Sequence, residues 1–322
     1  MAGHHHGFGI TPYMKELIVY AGHLDCYARC EDILEKYTSV KVSPSQIYRV
    51  TEHVSASLSD EDRRAERTLP PVSKEDILYV EIDGSMIPTR KNDEPWKEVK
   101  LGRIFRDADC LNPNTDASHI SASQYVGHFG ASTDFCKILG GVIDSYGDLN
   151  DRLVFINDGA TWIREWIADN YPMAVSVPDF YHAAEYLYEF ADKSFRDEPD
   201  KKKKWCDRQK ELLLASDVQT VLDNITEVNA KEDDVKKITK YYQNNRERMK
   251  YGQYRNTGCG ITGSGAIESA HRTVIQKRMK QSGQRWSTTG AKNMLRLRVI
   301  SMNRRWDKVI DFLKAPPSAK SA

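Results

Sequence analysis

Long apolar runs are missing from this chain. Nowhere do the roughly 18–20 consecutive apolar residues that a membrane-crossing helix needs occur together, so an integral membrane protein of that kind is excluded. A secretory leader is not legible either: Met1-Ala2-Gly3-His4-His5-His6-Gly7-Phe8-Gly9 has no apolar stretch followed by small residues. Cysteine is sparse and scattered. Of Cys26, Cys30, Cys110, Cys136, Cys206 and Cys259, only the first two are close. They stand i,i+4 in a helical stretch with no second pair to complete a zinc site, so free thiols in a reducing cytoplasm are expected. Net charge is nearly absent as well, at +1 over 322 residues. With 40% hydrophobic and 10% aromatic residues, however, the chain can bury a core, which excludes wholesale disorder. The length suits one large domain or two to three small ones.

The near-zero charge hides an asymmetry. From His271 onward there are 13 lysines and arginines against two acids, Asp307 and Asp311, a net of +11. The preceding 270 residues carry 34 basic and 44 acidic side chains, a net of -10. A tail so poor in acids reads as a polyanion-binding surface, nucleic acid above all, rather than as a solvated helix of mixed charge.

Residues 11–70 read as helical. Leu24, Tyr27, Ala28, Ile33, Leu34 and Tyr37 approximate a 3.6-residue period. After a turn at 38–40, Ser43 suits an N-cap, Pro44 the first helical position and Gln46 the return arm of a capping box. The following helix carries Tyr48, Arg49 and His53. This order fits a helix-turn-helix module or an ordinary helix pair, and Thr68-Leu69-Pro70-Pro71 ends it.

From Asp76 the texture becomes β. Strands are predicted over 77–84, ending at an Asp-Gly turn, over 98–105, near 123–130, over 152–159 and over 173–177. Helices are predicted over 134–146 and 160–171. Strands in succession and then alternating with helices imply a mixed sheet with helices on its faces. Residues 183–250 are helical and highly charged. A Gly-rich loop follows at 258–265, then helices over 266–280 and 291–313. No internal repeat is present.

Asp83 and Asp158 each follow a β-rich run and precede a glycine, and Glu268 sits just inside the helix after the Gly-rich loop. Strand-end aspartates from neighbouring strands and an acid from a helix offer hard oxygen donors to two divalent ions such as Mg²⁺ or Mn²⁺. Ions roughly 3.5–4 Å apart act on phosphodiesters. Paired carboxylates also serve glycosidases, typically without a basic tail.

Tyr79-Val80-Glu81-Ile82-Asp83-Gly84-Ser85-Met86-Ile87-Pro88, followed by Trp96-Lys97-Glu98-Val99-Lys100-Leu101-Gly102, resembles the catalytic domain of bacterial insertion-sequence transposases. So do Asn157-Asp158-Gly159-Ala160, Asp179-Phe180-Tyr181-His182 and Gly263-Ser264-Gly265-Ala266-Ile267-Glu268-Ser269. The group resembled is the Kra-type transposases of the DDE class, akin to Mutator-like enzymes, and the resemblance spans roughly residues 11–310.

That resemblance implies an α/β, RNase H-like mixed five-stranded sheet with flanking helices. The catalytic core would comprise 76–182, a helical insertion 183–262, and the catalytic helix and basic DNA-binding segment 263–322. It implies a triad of Asp83, Asp158 and Glu268 holding two Mg²⁺ or Mn²⁺ ions, with Asp83 and Asp158 on adjacent strands. Strand cleavage at element ends and strand transfer to target DNA would follow, in an oligomer assembled on DNA in the bacterial cytoplasm. Arg272, Lys277, Arg278 and Lys280 would meet phosphates. Arg285 and Trp286 would pack against or stack on an unpaired base, the other reading of Trp286 being a core residue. Asp179 and His182 resemble an accessory motif of related transposases, and His182 reads equally as a ring packed among Phe180, Tyr181 and Tyr186. The tyrosine, arginine and lysine pattern that another transposase branch carries around its catalytic Glu is absent, so that branch's hairpin mechanism does not carry over. Relatives carry more sequence ahead of Thr11, so a shortened product is expected. The other readings are an inactive transposase-derived DNA-binding protein and a non-transposing nuclease of the same fold.

Overall fold

A computed structural model describes residues 9–58, 67–113, 115 and 118–315. Part of the expected N-terminal helical region, 59–66, and Lys320 of the basic tail lie outside the described residues.

Three helices open the described chain: α1 (Pro12–Leu24), α2 (Tyr27–Thr38) and α3 (Pro44–Ser57). Proline at the first helical position after Thr11 and after Ser43 starts α1 and α3, and each hydroxyl accepts an amide of the first turn. The capping box at α3 is only half built, because the Gln46 side chain accepts from Arg49 instead of reaching back. The residues of the 3.6-residue period do not form a single buried stripe. Leu34 is buried, but Leu24, Ile33 and Tyr37 are exposed, because the chain breaks at Asp25-Cys26 and α2 starts with a new phase.

Next come β1 (Leu78–Pro88), β2 (Trp96–Arg106), a small hairpin β3 (Cys110–Leu111) and β4 (His119–Ile120), and β5 (Gln124–His128). Helix α4 (Ser132–Asp144), β6 (Leu153–Asn157), α5 (Thr161–Asn170) and β7 (Val175–Pro178) complete a five-stranded mixed sheet. Its order is β5-β2-β1-β6-β7, with β2 antiparallel to both neighbours and β1, β6 and β7 parallel. The expected stop at Asp83-Gly84 is corrected: β1 runs on to Pro88, with Asp83 opposite Leu101 and Gly84 opposite Lys100. Gly84 serves as a gap, not a turn. A Cβ there would stand 2.2 Å from the Glu98 carboxylate leaning across it.

Alternation along β1 sorts its side chains between two cores. Leu78, Val80 and Ile82 join Phe135, Leu139, Phe155 and Ile163 beneath α4 and α5. Tyr79 joins Val154, Ile156 and Val177 on the other face, under the helices that follow β7. These are α6 (Phe180–Ser194), α7 (Pro199–Leu214), α8 (Val218–Glu227), α9 (Glu232–Asn245) and the short α10 (Tyr251–Tyr254). Leu187, Leu213, Val221, Ile225 and Tyr242 from these helices share one apolar cluster with the sheet. Each fully buried side chain of this size contributes about 1.5–3 kcal/mol, so these helices are integral to the core.

Helix α11 (Gly265–Ala270) continues through a π-helical stretch, His271–Gln276, into α12 (Lys277–Met279). Two helices, α13 (Thr288–Met302) and α14 (Asp307–Lys314), end the described chain where one was expected. The break at 303–306 includes Arg304 in the left-handed region, φ 56°. No helix among the described residues is long and apolar enough to cross a membrane.

Candidate functional site

The acids lie where the parallel pairing of the sheet ends, toward the edge where open α/β sheets build ligand sites. The last rung across β1 and β6 is Ile82 to Asn157, and across β6 and β7 it is Asn157 to Pro178. One residue further along each chain stand Asp83, Asp158 and Asp179. Helix α11 packs over this edge against β1 and β2 and carries Glu268. The structure therefore brings the three expected triad residues to one place and adds Asp179.

The gathered charges act on Asp83. The Asp83 carboxyl is pushed up to about 6, first by burial and then by the charges of Asp158, Glu268 and Asp179, against the opposing Gly84 amide. That amide donates to Asp83 Oδ1 at 2.7 Å. Asp158 closes a small turn by accepting the Ala160 amide at 2.9 Å, and its side chain is exposed, as is that of Glu268.

Asp179 is buried and committed to structure. It caps α6 through the Tyr181 amide at 2.9 Å and accepts the Ser264 amide at 3.1 Å and the Ser264 hydroxyl at 2.5 Å. The same hydroxyl stands 3.4 Å from Glu268 Oε1. Asp179 thus pins the Gly-rich loop that launches α11. His182 has a different neighbourhood. Its Nδ1 lies 3.3 Å from Glu185, and its ring meets Tyr186 at 5.2 Å and Tyr241 at 6.4 Å. It belongs to an aromatic group, with Tyr241 in place of the expected Phe180 and Tyr181.

Glu81, missed in the sequence, lies two residues before Asp83 on the same face of β1. It is fully buried, and its Oε2 accepts the Ile267 amide at 2.5 Å while Oε1 has no partner. Burial is the main cause that pushes its carboxyl up to about 8. Opposite it on β2, Arg103 donates to the Ala266 carbonyl at 2.6 Å and to the Ser123 hydroxyl at 2.9 Å. A cross-strand acid and base thus hold the start of the helix that bears Glu268. His271, also missed, stands with Nε2 3.4 Å from Asp83 Oδ2. Burial lowers its pKa to about 4, so this is a neutral ring against a carboxylate. The signal for both was faint: an acid in a strand interior, and a histidine three residues beyond Glu268.

The basic segment divides into inward and outward cations. Arg278 is corrected as a phosphate contact, since it has no accessible surface. It donates from Nε to the Gly22 carbonyl at 2.9 Å and lies over Tyr27 at 4.9 Å and Trp286 at 5.2 Å. Trp286 is likewise a core residue, its indole N–H donating to the Met279 carbonyl at 2.9 Å, so the base-stacking expectation is corrected too. Buried Arg298 donates to the carbonyls of Val274 and Thr273 inside the π-helical stretch and to that of His23. Widened hydrogen bonding leaves such carbonyls in need of donors. Lys280 is half-buried and donates to Ser85 at 2.6 Å on the far side of Asp83. Arg272, Lys277 and Arg285 are exposed.

The donor set fits hard divalent cations in chemistry: carboxylate oxygens, crowded enough to repel one another at Asp83. Among the described residues, no group of three or more His, Cys, Asp or Glu side chains stands in an arrangement that could hold a metal ion. The exposed side chains of Asp158 and Glu268 would have to turn inward to share one.

Residues 10–310 match the model of the uncharacterised protein family UPF0236. The chain belongs to this family. It is 24% identical over 280 residues to the UPF0236 protein in the vanSb 3′ region of Streptococcus gallolyticus, covering 84% of this chain and 59% of that protein. A UPF0236 protein of Caldanaerobacter subterraneus subsp. tengcongensis is 24% identical over 283 residues, covering 85% of this chain and 56% of the relative. Its name joins eleven locus designations of one strain. Another protein of that strain is 25% identical over 237 residues, covering 70% and 47%. The chain spans about half the length of these curated relatives.

Proposed function

We propose that this chain is a DDE-class transposase of RNase H-like fold that cleaves DNA strands at element ends and transfers them to target DNA. One observation carries the reading. Asp83 and Asp158 each follow the last rung of the parallel β1–β6 pairing, and Glu268, on the helix docked over β1 and β2, is close enough for its charge to act on Asp83. The sheet order, with its single antiparallel reversal at β2, supports the RNase H-like assignment. A relative designated by eleven loci in one strain suits a gene that copies itself.

Asp83 and Asp158 would hold two Mg²⁺ or Mn²⁺ ions and Glu268 one of them. When bound, such ions supply Lewis acidity at the phosphodiester and lower the pKa of an attacking hydroxyl. The protein's own part is placement. Glu81 and Arg103 fix α11 so that Glu268 stays over the strand edge, and Asp179 pins the loop before it. Arg272 and Lys277, exposed beyond Glu268 on the same helical run, are placed to neutralise phosphates of DNA approaching the acids. The protein would act as an oligomer assembled on DNA in the bacterial nucleoid.

The test is incubation with end-labelled DNA from the flanks of the gene and Mg²⁺. The reading expects a nick exposing a 3′-hydroxyl and a joined product with a second duplex. Nicks without joining would favour a non-transposing nuclease. Binding without either product would favour an inactive DNA-binding relative.

A further inference from the structure

A groove of about 740 Å³ opens beside the acid cluster, between the β3–β4 hairpin, the start of α6 and the loop that launches α11. Its volume falls in the range of about 300–1,000 Å³ that encloses a small ligand. Gly263, Gly265 and Ser269 line it, so it adjoins the turn that carries Glu268. Three features give it a character. First, Tyr181 is 59% exposed although it belongs to the first turn of a helix seated on the core. Second, that ring lies against Gly263, where a Cβ would stand 2.4 Å from it, and edge-on to Phe180 at 5.8 Å. Glycine lets the ring lie directly against backbone while a large part of its surface stays open. Third, Arg103, Arg255 and His119 line the groove, and among its described lining residues there is no carboxylate. The Arg255 side chain is exposed.

We propose that this groove receives one unpaired nucleotide of the substrate strand, its base stacked on Tyr181 and its phosphate held by Arg255. This rests on the reading of the acid cluster as a DNA-processing site and specifies where the strand passes. An exposed aromatic beside a cation is the pairing that takes single-stranded nucleic acid with little regard to sequence. A duplex keeps its bases stacked on one another and offers the ring nothing.

The experiment measures binding of a fluorescent single-stranded DNA oligonucleotide, and of the same sequence as a duplex, in excess chelator so that no strand is cut. Base–aromatic stacking is worth about 1–3 kcal/mol per base, so Tyr181→Ala should weaken single-strand binding about 5- to 160-fold and duplex binding little. Tyr181→Phe should retain wild-type affinity, since the ring and not the hydroxyl carries the contact. Arg255→Ala should flatten the single-strand salt slope by about 0.7. Tyr188→Ala, an exposed aromatic further along α6, should leave both affinities unchanged. Equal affinity of wild type and Tyr181→Ala for the single strand would overturn the proposal, as would a duplex preference that Tyr181→Ala reduces. The parent reading fails separately: loss of binding in Tyr181→Ala from a wild type that never cuts DNA in Mg²⁺ would retain the groove and remove the transposase.

Discussion

The Glu81 carboxyl group accepts the Ile267 amide at 2.5 Å, so the strand that carries Asp83 also anchors the helix that carries Glu268. The bond spans 186 residues of sequence yet joins a position two before Asp83 to the one just before Glu268. Glu81→Gln keeps an acceptor for that amide and should preserve α11. Glu81→Ala leaves a buried N–H unsatisfied, a loss of about 1–3 kcal/mol. Hydrogen exchange at Ile267 checks this. Its protection should fall in the Ala variant and persist in the Gln variant, and equal protection in both would remove the anchor.

Burial first, and the gathered acids after it, disfavour the charged form of Asp83. Its folded-state pKa lies above its ordinary value, so its contribution to stability is present below about pH 4 and is lost as pH rises toward 6. Asp83→Asn should therefore stabilise the metal-free protein at pH 7. Solvent screening of a side chain that is 37% exposed reduces the gain to about 1 kcal/mol. Scanning calorimetry in chelator should record a higher Tm for the variant, and an unchanged or lower Tm would contradict the crowding.

His23 gives a pH effect remote from the acids. Burial, helped by the charge of Arg298, lowers its pKa to about 4, and its ring nitrogens meet the Tyr20 carbonyl and the Ser301 hydroxyl. The unfolded chain then binds the proton more readily. The stabilisation is complete above about pH 6.5 and drains away as pH falls toward 4. Its full extent is about 3 kcal/mol at most. Replacing His23 with Gln should flatten the acid limb of a Tm-versus-pH curve, and an identical limb would show that other groups set it.

The basic segment separates into two kinds of variant. Arg278→Ala should cost stability, about 2 kcal/mol or more, because a buried cap and two cation–π contacts go together. Arg272→Ala, Lys277→Ala and Arg285→Ala should leave Tm alone and together reduce the salt slope of duplex binding by up to about 2.7 units. Duplex titrations across a salt series check both. A flattened slope in Arg278→Ala with normal stability would return that residue to the phosphate surface.

Periodicity made the five strands, the α4 and α5 helices and the Gly-rich loop legible, and Asp-Gly drew attention to Asp83 and Asp158. The same Asp-Gly misplaced the end of β1. Gly84 stays extended there because β2 pairs along its whole length and Glu98 fills the space above it. Charge counting found the basic segment but could not tell Arg278 from Arg272. Which side of a helical run faces the core depends on the π-helical stretch, which shifts the phase between Glu268 and Lys277. Glu81 was invisible for a related reason. A strand acid is ordinarily solvated, and only the docking of α11 makes this one a buried anchor.

The most direct test of the acid cluster is cleavage of labelled duplex DNA by wild type and by Asp83→Asn, with Mg²⁺, with Ca²⁺ and with excess chelator. The account predicts cleavage by the wild type in Mg²⁺ alone, since Ca²⁺ takes oxygen ligands in looser geometry. It predicts none by Asp83→Asn, at undiminished DNA binding. Cleavage in chelator, or equal cleavage by Asp83→Asn, would contradict it.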